Sequence, residues 1–582
     1  MTAPPGQPIR IANCSGFYGD RLSAAKEMVE DGPIDVLTGD WLAELTMLIL
    51  ARTQAKRPGG GYARTFVTQM EQVMGTCLDK GIKVVSNAGG LDPDGCADAV
   101  AEAADKLGLS PSIAYVSGDN LLDRLDELDL AHFETGEPIG EPGRFISANA
   151  YIGGWGIAEA LGMGADIVIT GRATDAAVVC GPAAWHHGWK RDDWDQLAGA
   201  IVAGHVIECG TQATGGNYSF FTEVAGMTRT AFPWADIAAD GSSVIGKHEG
   251  TGGEVSVGTV TSQLLYEIGS PAYLNPDVTS RFDTIQLTQL DTDRVRIHDT
   301  KGEPPPPTLK VAMNEIGGYR QDVSLAMVGL DIEEKAALVE EAFWLACPSQ
   351  PEDFDEVAIT LDRTDKRDPA SNPEAVAIWR MTLKTSDEHK LGRRISDTLN
   401  ELGLATIPGF FGAGGSGARP YGVYTPAVVD PSVVPQHVVL LSGERTVVDS
   451  ATAPAEVIVT SRPGPTVDVP GGPTRRAPLG LVAGTRSGDK GANANLGVFT
   501  RSDAAWVWLD QFLTTTKLKE LLPETAELQV DRYAMPAIRS LNFLIHGILQ
   551  EGVAASTRQD GQAKSLGEWL RARHVDLPEA LL

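Results

Sequence analysis

Asp40 and Glu44 stand four residues apart where a helix is predicted to begin, a spacing that puts two carboxylates on one face. Such a pair can hold a hard divalent cation, magnesium or manganese, or divide the acid and base roles of a proton transfer. The bland alternative is a helix cap followed by a surface charge. Arg172 and Asp175 form a second pair. A guanidinium fork fits a carboxylate or a phosphate, or the two side chains close an internal ion pair. Asn13, Asn87, Gly89, Gly90 and Asn217 are candidates for binding a substrate, because small or amide residues let a ligand reach backbone N–H groups.

These residues share a position. Asn13–Gly16, Thr38–Asp40, Ser86–Gly90, Ser117–Asp119 and Gly171–Asp175 each follow a short apolar run that reads as a strand. In an open parallel sheet, ligands bind outside the carboxyl ends of the strands. Turns are rich in Gly, Asn and Asp in any case, so the argument rests on the agreement of successive edges. Thr485–Gly491 (TRSGDKG) is a further small, polar run directly after a predicted strand. Its Arg486 and Lys490 are expected to hold an anion such as a phosphate near the mouth of the main cleft; Asp489 pairing with a cation to fix a turn is the alternative.

Other signals are weaker. His186 and His187 are adjacent and would point apart on a helix, so joint metal ligation is not expected. His205 and Glu208 bracket a predicted strand, upstream of Gly215 and Gly216, where a histidine can exchange protons. Lys247–Gly253 is a glycine-rich run feeding a helix, an anion-site pattern without the GK[ST] signature of nucleotide hydrolysis. Phe410–Pro420 reads as a second glycine-rich loop suited to a lid. No GxGxxG follows the first strand, so a nicotinamide cofactor has no support. The six cysteines are scattered without a CxxC pair, which argues against a structural zinc site, and disulfides are not expected in a reducing compartment.

The elements that must position these groups alternate in the first 180 residues: strands at 9–13, 34–37, 82–85, 113–116 and 166–170, with helices at 20–30, 41–50, 66–80 and 93–107 between them. This rhythm predicts an α/β fold, a mostly parallel sheet with helices on both faces. From about 281 to 404 the strands come in pairs (282–287 with 294–298, 309–313 with 323–328), followed by helices at 332–346 and 391–402, which predicts an α+β lobe within a domain of residues 1–460. Residues 461–478 hold five prolines and three glycines, a linker composition. Residues 479–582 then run ββαββα, a small ferredoxin-like α+β domain whose first helix is expected over 503–522.

The chain has 582 residues, with 48 Lys and Arg against 77 Asp and Glu, a formal charge of −29. That acidity argues against a nucleic-acid binder. No run of about 18 apolar residues predicts a membrane span, and the first residues lack the build of a signal peptide, so a cytoplasmic protein is expected.

Taken together, Ile34–Glu44 (IDVLTGDWLAE), Ser86–Gly90 (SNAGG), Gly171–Asp175 (GRATD), Gly215–Ser219 (GGNYS) and Thr485–Gly491 resemble the acyclic terpene utilisation (AtuA) protein family, the last run resembling the start of the ferredoxin-fold domain attached to many members. The resemblance covers nearly the whole chain. It implies a part in the catabolism of branched or acyclic terpenoid acids as CoA thioesters, in pathways that also use a biotin-dependent acyl-CoA carboxylase. The expected activity is that of a lyase or hydratase on a 3-hydroxy-3-alkylglutaryl-CoA-like thioester, in a homo-oligomer. Asp40 or Asp175 would serve as base and Arg172 would hold a carboxylate. The alternative is a non-catalytic partner of the acyl-CoA carboxylase, which would carry a broad apolar face; a ligand sensor is a third reading. Clustering of Asp40, Asn87, Arg172 and Asp175 in one cleft favours the enzyme.

Overall fold

The computed structural model describes residues 6–57, 59–452 and 460–582. Its chain divides into two compact units, one of residues 1–314, 424–553 and 562–582 and one of residues 315–423 and 554–561.

The first unit is organised by an eleven-stranded sheet in the order Gln286–Asp291, Arg294–His298, Ser243–Lys247, Pro233–Ile237, Ile9–Asn13, Val36–Gly39, Lys83–Ser86, Ile167–Thr170, Ile113–Ser117, Gln436–Leu440, Arg445–Val448. The five central strands, Ile9–Asn13 through Ile113–Ser117, are parallel. Both flanks are antiparallel. The expectation of a mostly parallel sheet therefore holds for the centre only. The difference has a local cause: the flanking strands are joined by short turns such as Ala238–Ser242 and Asp291–Arg294, and a turn of that length reverses the chain. The pair Gln286–Asp291 and Arg294–His298, expected in the α+β lobe, belongs to this sheet instead.

The parallel strands are buried on both faces, Val36–Gly39 and Ile167–Thr170 throughout. One face packs on Met28, Phe66, Met70, Val73, Cys96 and Val100 from the helices Ala24–Glu30, Arg64–Lys80 and Pro93–Leu107. The helix Pro93–Leu107 starts with Pro93 in its first turn and the Asp92 side chain accepting from Gly95 N, and it ends on Gly108 in the left-handed region. The opposite core includes Ile157, Val179 and the helix Trp194–Ile207, all of whose residues from Leu197 to Ile207 are buried. His205 and Glu208 therefore lie at the end of a helix, not beside a strand. A helix buried on every side has no polar stripe to reveal its period, and its β-branched run imitates a strand.

The C-terminal part of this unit is a four-stranded antiparallel sheet, Ala483–Lys490, Asn493–Thr500, Ser540–Ile545 and Val530–Met535, backed by helices Asp503–Phe512, Thr515–Leu521 and Leu566–Ala572. The single helix expected over 503–522 is two, because Thr514 caps a new start by accepting from Lys517 N at 3.2 Å. Thr474–Pro478, at the end of the expected linker, is a strand paired with His574–Pro578.

In the second unit the strands Glu356–Asp362 and Val376–Thr385 pair in succession beside the long strand Leu309–Val328, whose other side carries Phe410–Gly415. The two strands expected at 309–313 and 323–328 are thus one, continuous through Gly317 and Gly318. The glycine-rich loop expected at 410–420 begins as a paired strand. Helices Ile332–Ala346 and Arg393–Leu402 cover the sheet through Val339, Phe343 and Ile395, packed on Trp379 and Met381.

Candidate active site

The parallel register brings the strand ends into line: Asn13 is beside Thr38, Gly39 beside Ser86, Ser86 beside Ile169 and Val116 beside Thr170. The residue after each end therefore falls on one edge. Asn87 Nδ2 donates to Asp40 Oδ1 at 2.5 Å, and Asn87 Oδ1 accepts from Trp41 N at 2.9 Å, so the two loops fix each other. Asp119 Oδ2 accepts from Arg172 N and from Asn149 Nδ2, both at 2.8 Å, which sets the backbone from which Arg172 projects. A Cβ on Gly171 would lie 2.2 Å from Asp119 Oδ1, so only glycine fits there.

Arg172 is 2% exposed. Its Nη1 reaches Asp175 Oδ1 at 2.6 Å, its guanidinium lies 4.3 Å from the centre of the Tyr151 ring, and its Nε has no hydrogen-bond partner among the described residues. Tyr151 follows the strand Phe145–Ala150 and is tied on both sides: its N–H donates to Lys310 O at 2.8 Å, and Ile152 N donates to Arg172 O at 3.0 Å. Its hydroxyl donates to Glu44 Oε1 at 2.8 Å, and Lys310 Nζ stands 3.4 Å from the same oxygen.

Asp40 and Glu44 both feel the charge of Arg172, but not by helical spacing. The helix is Glu44–Gln54 with Ala43 at its cap, and Asp40 lies in the loop before it. Their chemistry diverges. Burial, then the charge of Asp175, pushes Asp40 well above the ordinary aspartate range, against the pull of Arg172 and the Asn87 hydrogen bond. Burial also opposes ionisation of Glu44, but Lys310 and Arg172 outweigh it and hold that carboxyl down at about 2. The two carboxyls are thus set apart, Asp40 raised and Glu44 lowered, which is how a fold separates an acid role from a base role. Glu44 Oε1 is engaged by Tyr151 and Lys310. Among the described residues no group of three or more His, Cys, Asp or Glu is placed to hold a metal ion.

Glu208 joins the cluster from the end of the helix Trp194–Ile207 and is 5% exposed. Burial, then Asp175 and Glu267, pushes its carboxyl well up, and its Oε2 has no hydrogen-bond partner among the described residues. His205 Nδ1 stands 3.1 Å from Glu208 Oε1, and burial together with Lys490 lowers the imidazole to about 4, so it is neutral.

The remaining sequence candidates divide. Asn13 is buried at the edge, but its amide is engaged, donating to Glu208 O at 3.1 Å and accepting from Ser15 N at 2.8 Å; it holds Glu208 in place. Gly89 and Gly90 are small because of packing: a Cβ would meet Thr170 O at 2.5 Å in one case and Leu50 Cδ1 at 2.6 Å in the other. Asn217 is exposed, with φ 57°. Its neighbour Ser219 instead ties down the C-terminal sheet, its Oγ donating to Thr485 O and accepting from Thr485 N, both at 2.9 Å.

Thr485–Gly491 is not a turn after a strand. All but Gly491 lies inside the strand Ala483–Lys490, because alternate small residues admit aromatic neighbours: a Cβ on Gly488 would sit 2.4 Å from the Tyr266 ring. Arg486 is 6% exposed, lies 4.1 Å from the centre of the Tyr266 ring and donates to Gln212 Oε1. Lys490 Nζ donates to Glu267 O at 2.8 Å. Burial, then the like charge of Lys310, lowers the Lys490 ammonium.

Residues 9–440 match the model of the acyclic terpene utilisation family protein AtuA, and residues 477–576 match the AtuA ferredoxin-like domain. The chain belongs to the acyclic terpene utilisation family. No curated protein matches it. The family's ferredoxin-like domain here contains the strand that carries Arg486 and Lys490. No described helix is long and apolar enough to cross a membrane. Sequence reading missed Tyr151, Lys310 and Glu267, and left Glu208 in the wrong element. None carries a local signal: Tyr151 follows the strand Phe145–Ala150, but that strand pairs with Leu309–Val328 outside the eleven-stranded sheet, so the edge rule does not reach it.

Proposed function

We propose that this acyclic terpene utilisation protein is an enzyme of branched or acyclic terpenoid acyl-CoA catabolism, acting as a lyase or hydratase on a 3-hydroxy-3-alkylglutaryl-CoA-like thioester. The observation that carries the reading is the gathering of Asp40, Glu44, Asp175 and Glu208 around a buried Arg172 whose Nε is unpartnered. A buried guanidinium with an open donor suits a substrate carboxylate. A carboxyl whose affinity for its proton is raised, as at Asp40, suits protonation of a leaving hydroxyl or of an enolate, and a neighbouring carboxylate suits removal of the matching proton.

In the dehydrating direction, Asp175 or Glu208 in its ionised form takes the proton α to the thioester while Asp40 gives its proton to the departing hydroxyl. In the cleaving direction, the base takes the hydroxyl proton, the carbon–carbon bond breaks to a carbonyl product and a thioester enolate, and Asp40 protonates that enolate. Arg172, Lys310 and Lys490 oppose the negative charge that builds up in either case. Metabolite profiling of a deletion strain, followed by incubation of purified protein with the accumulated CoA ester, tests this. Accumulation of a 3-hydroxy or α,β-unsaturated branched thioester that the protein converts is expected; its absence, with a normal thioester profile, contradicts the reading.

A further inference from the structure

Glu267 has the features of a working residue, although nothing in its local sequence announces it. It directly follows the segment Val257–Tyr266 with φ 55°, a left-handed backbone that a glutamate adopts at a cost. Such a conformation persists where the surroundings over-determine it, and here they do. Glu267 N–H donates to Asn495 Oδ1 at 2.8 Å, and Glu267 O accepts from Lys490 Nζ at 2.8 Å. On either side, Asn495 Nδ2 donates to Leu265 O at 2.6 Å, and Asn542 Nδ2 donates to Ile268 O at 3.1 Å and Gly269 O at 2.7 Å. The two asparagines are fully buried and joined, Asn495 Nδ2 to Asn542 Oδ1, at 2.9 Å. Every one of these clamping groups comes from the ferredoxin-like sheet. Gly497 and Gly488 let that sheet press in: a Cβ on either would stand 2.4 Å from Leu265 Cβ or from the Tyr266 ring.

The carboxyl so presented is surrounded by charge from several elements. Its charge interacts with those of Asp489, Lys490 and Arg486 of the strand Ala483–Lys490, of Lys564 before the last helix, of Tyr266 in its own turn, and of Glu44 and Glu208. Burial, then Asp489, raises it to about 7, against Lys564.

We propose that Glu267 is a proton-transfer group of the active site and that the ferredoxin-like domain serves to hold it there, with Asn495 and Asn542 as positioning residues. The catalytic part rests on the acyl-CoA reading above; the titration and the clamp do not. A carboxyl poised near the working pH can both take and give a proton within one turnover.

The test is an infrared pH titration of full-length protein between pH 5 and 9, followed by turnover of whichever thioester the wild type converts. A carboxyl band titrating near 7 is expected in the wild type and absent from Glu267→Gln. Asp489→Asn should move the midpoint down, because it removes the largest repelling charge. Glu267→Gly keeps the left-handed turn without strain, so it should fold at least as well as the wild type yet lack the band. Asn495→Ala, if folded, should return the midpoint toward the ordinary glutamate range. Glu267→Gln should lower kcat by about 100-fold or more and flatten the limb of the pH profile near 7. A wild-type minus Glu267→Gln infrared difference spectrum with no carboxyl titrating near 7, or an unchanged kcat and pH profile in a folded Glu267→Gln, overturns the proposal. A wild type that converts no thioester overturns the acyl-CoA reading alone, and the band then still decides where Glu267 titrates.

Discussion

The parallel strand ends of residues 9–175 and the strand Ala483–Lys490 supply one cluster of charge by different means. At the parallel edge each functional side chain stands on a loop after a strand, and its partners lie on neighbouring loops, as Asn87 with Asp40 and Asp119 with Arg172. In the ferredoxin-like sheet the side chains alternate along a strand. Arg486, Gly488 and Lys490 meet Gln212, Tyr266 and Glu267, while Ser487, facing the other way, accepts from Gly567 N at 3.1 Å. Loops at a sheet edge can be recognised from order along the chain. A strand reveals its active face only when its neighbour is known.

The comparison can be broken most forcefully at Arg172. Arg172→Met leaves Asp175 and its neighbours buried without their cation, and we expect a loss of about 3–5 kcal/mol in denaturant unfolding, with Arg172→Lys between it and the wild type. An unchanged midpoint for Arg172→Met would mean that the carboxyls do not depend on it. Next are the two glycines that admit a neighbour. Gly171→Ala pushes a methyl against Asp119, whose carboxylate is anchored by Arg172 N and Asn149, and should cost about 1–3 kcal/mol. Gly488→Ala meets the edge of the Tyr266 ring, which can shift, and should cost less. The reverse ranking would contradict a rigid parallel edge beside a more yielding strand contact.

A smaller effect follows from Glu44. Its carboxyl sits at about 2 in the folded chain against an ordinary 4.5, so its stabilisation is present above pH 4.5 and is lost as pH falls toward 2. With 31% of the side chain reached by water, we expect about 1–2 kcal/mol, and Glu44→Gln should remove that acid-side loss. Asp40 has the opposite sign: folding raises it above 3.8, so it withdraws stability as pH rises past that value, and Asp40→Asn should reduce that decline. The smallest effect is expected at exposed Asn217. Asn217→Ala should cost about 1 kcal/mol through its left-handed backbone and leave ligand affinity unchanged; a loss of affinity would extend the site to that loop.

Much of this was legible in the sequence. The strand Ile9–Asn13 and the helices Pro93–Leu107 and Ile332–Ala346 were readable to the residue, because apolar period and end signals agree there. The meeting of Asp40, Asn87, Arg172 and Asp175 followed from their place after parallel strands. What escaped reading lacked a period or lay on the wrong side of a tertiary contact. The helix Trp194–Ile207 is apolar all round, and Leu309–Val328 hides its continuity under Gly317, Gly318 and polar neighbours. Lys310 enters from the start of that strand and Glu267 from beyond a helix end; only the folded chain brings Lys310 to Glu44 and Lys490 to Glu267.

The central claim is that Asp40, its carboxyl raised by burial and by Asp175, does chemistry on an acyl thioester. The most direct measurement is single-turnover conversion, by wild type and Asp40→Asn, of the CoA ester that accumulates without this protein. Asn keeps the shape of Asp40 and an oxygen to accept from Asn87 Nδ2 but has no proton to transfer, so the variant should fold and bind, with conversion slowed about 100-fold or more. Conversion at the wild-type rate by folded Asp40→Asn would contradict the account.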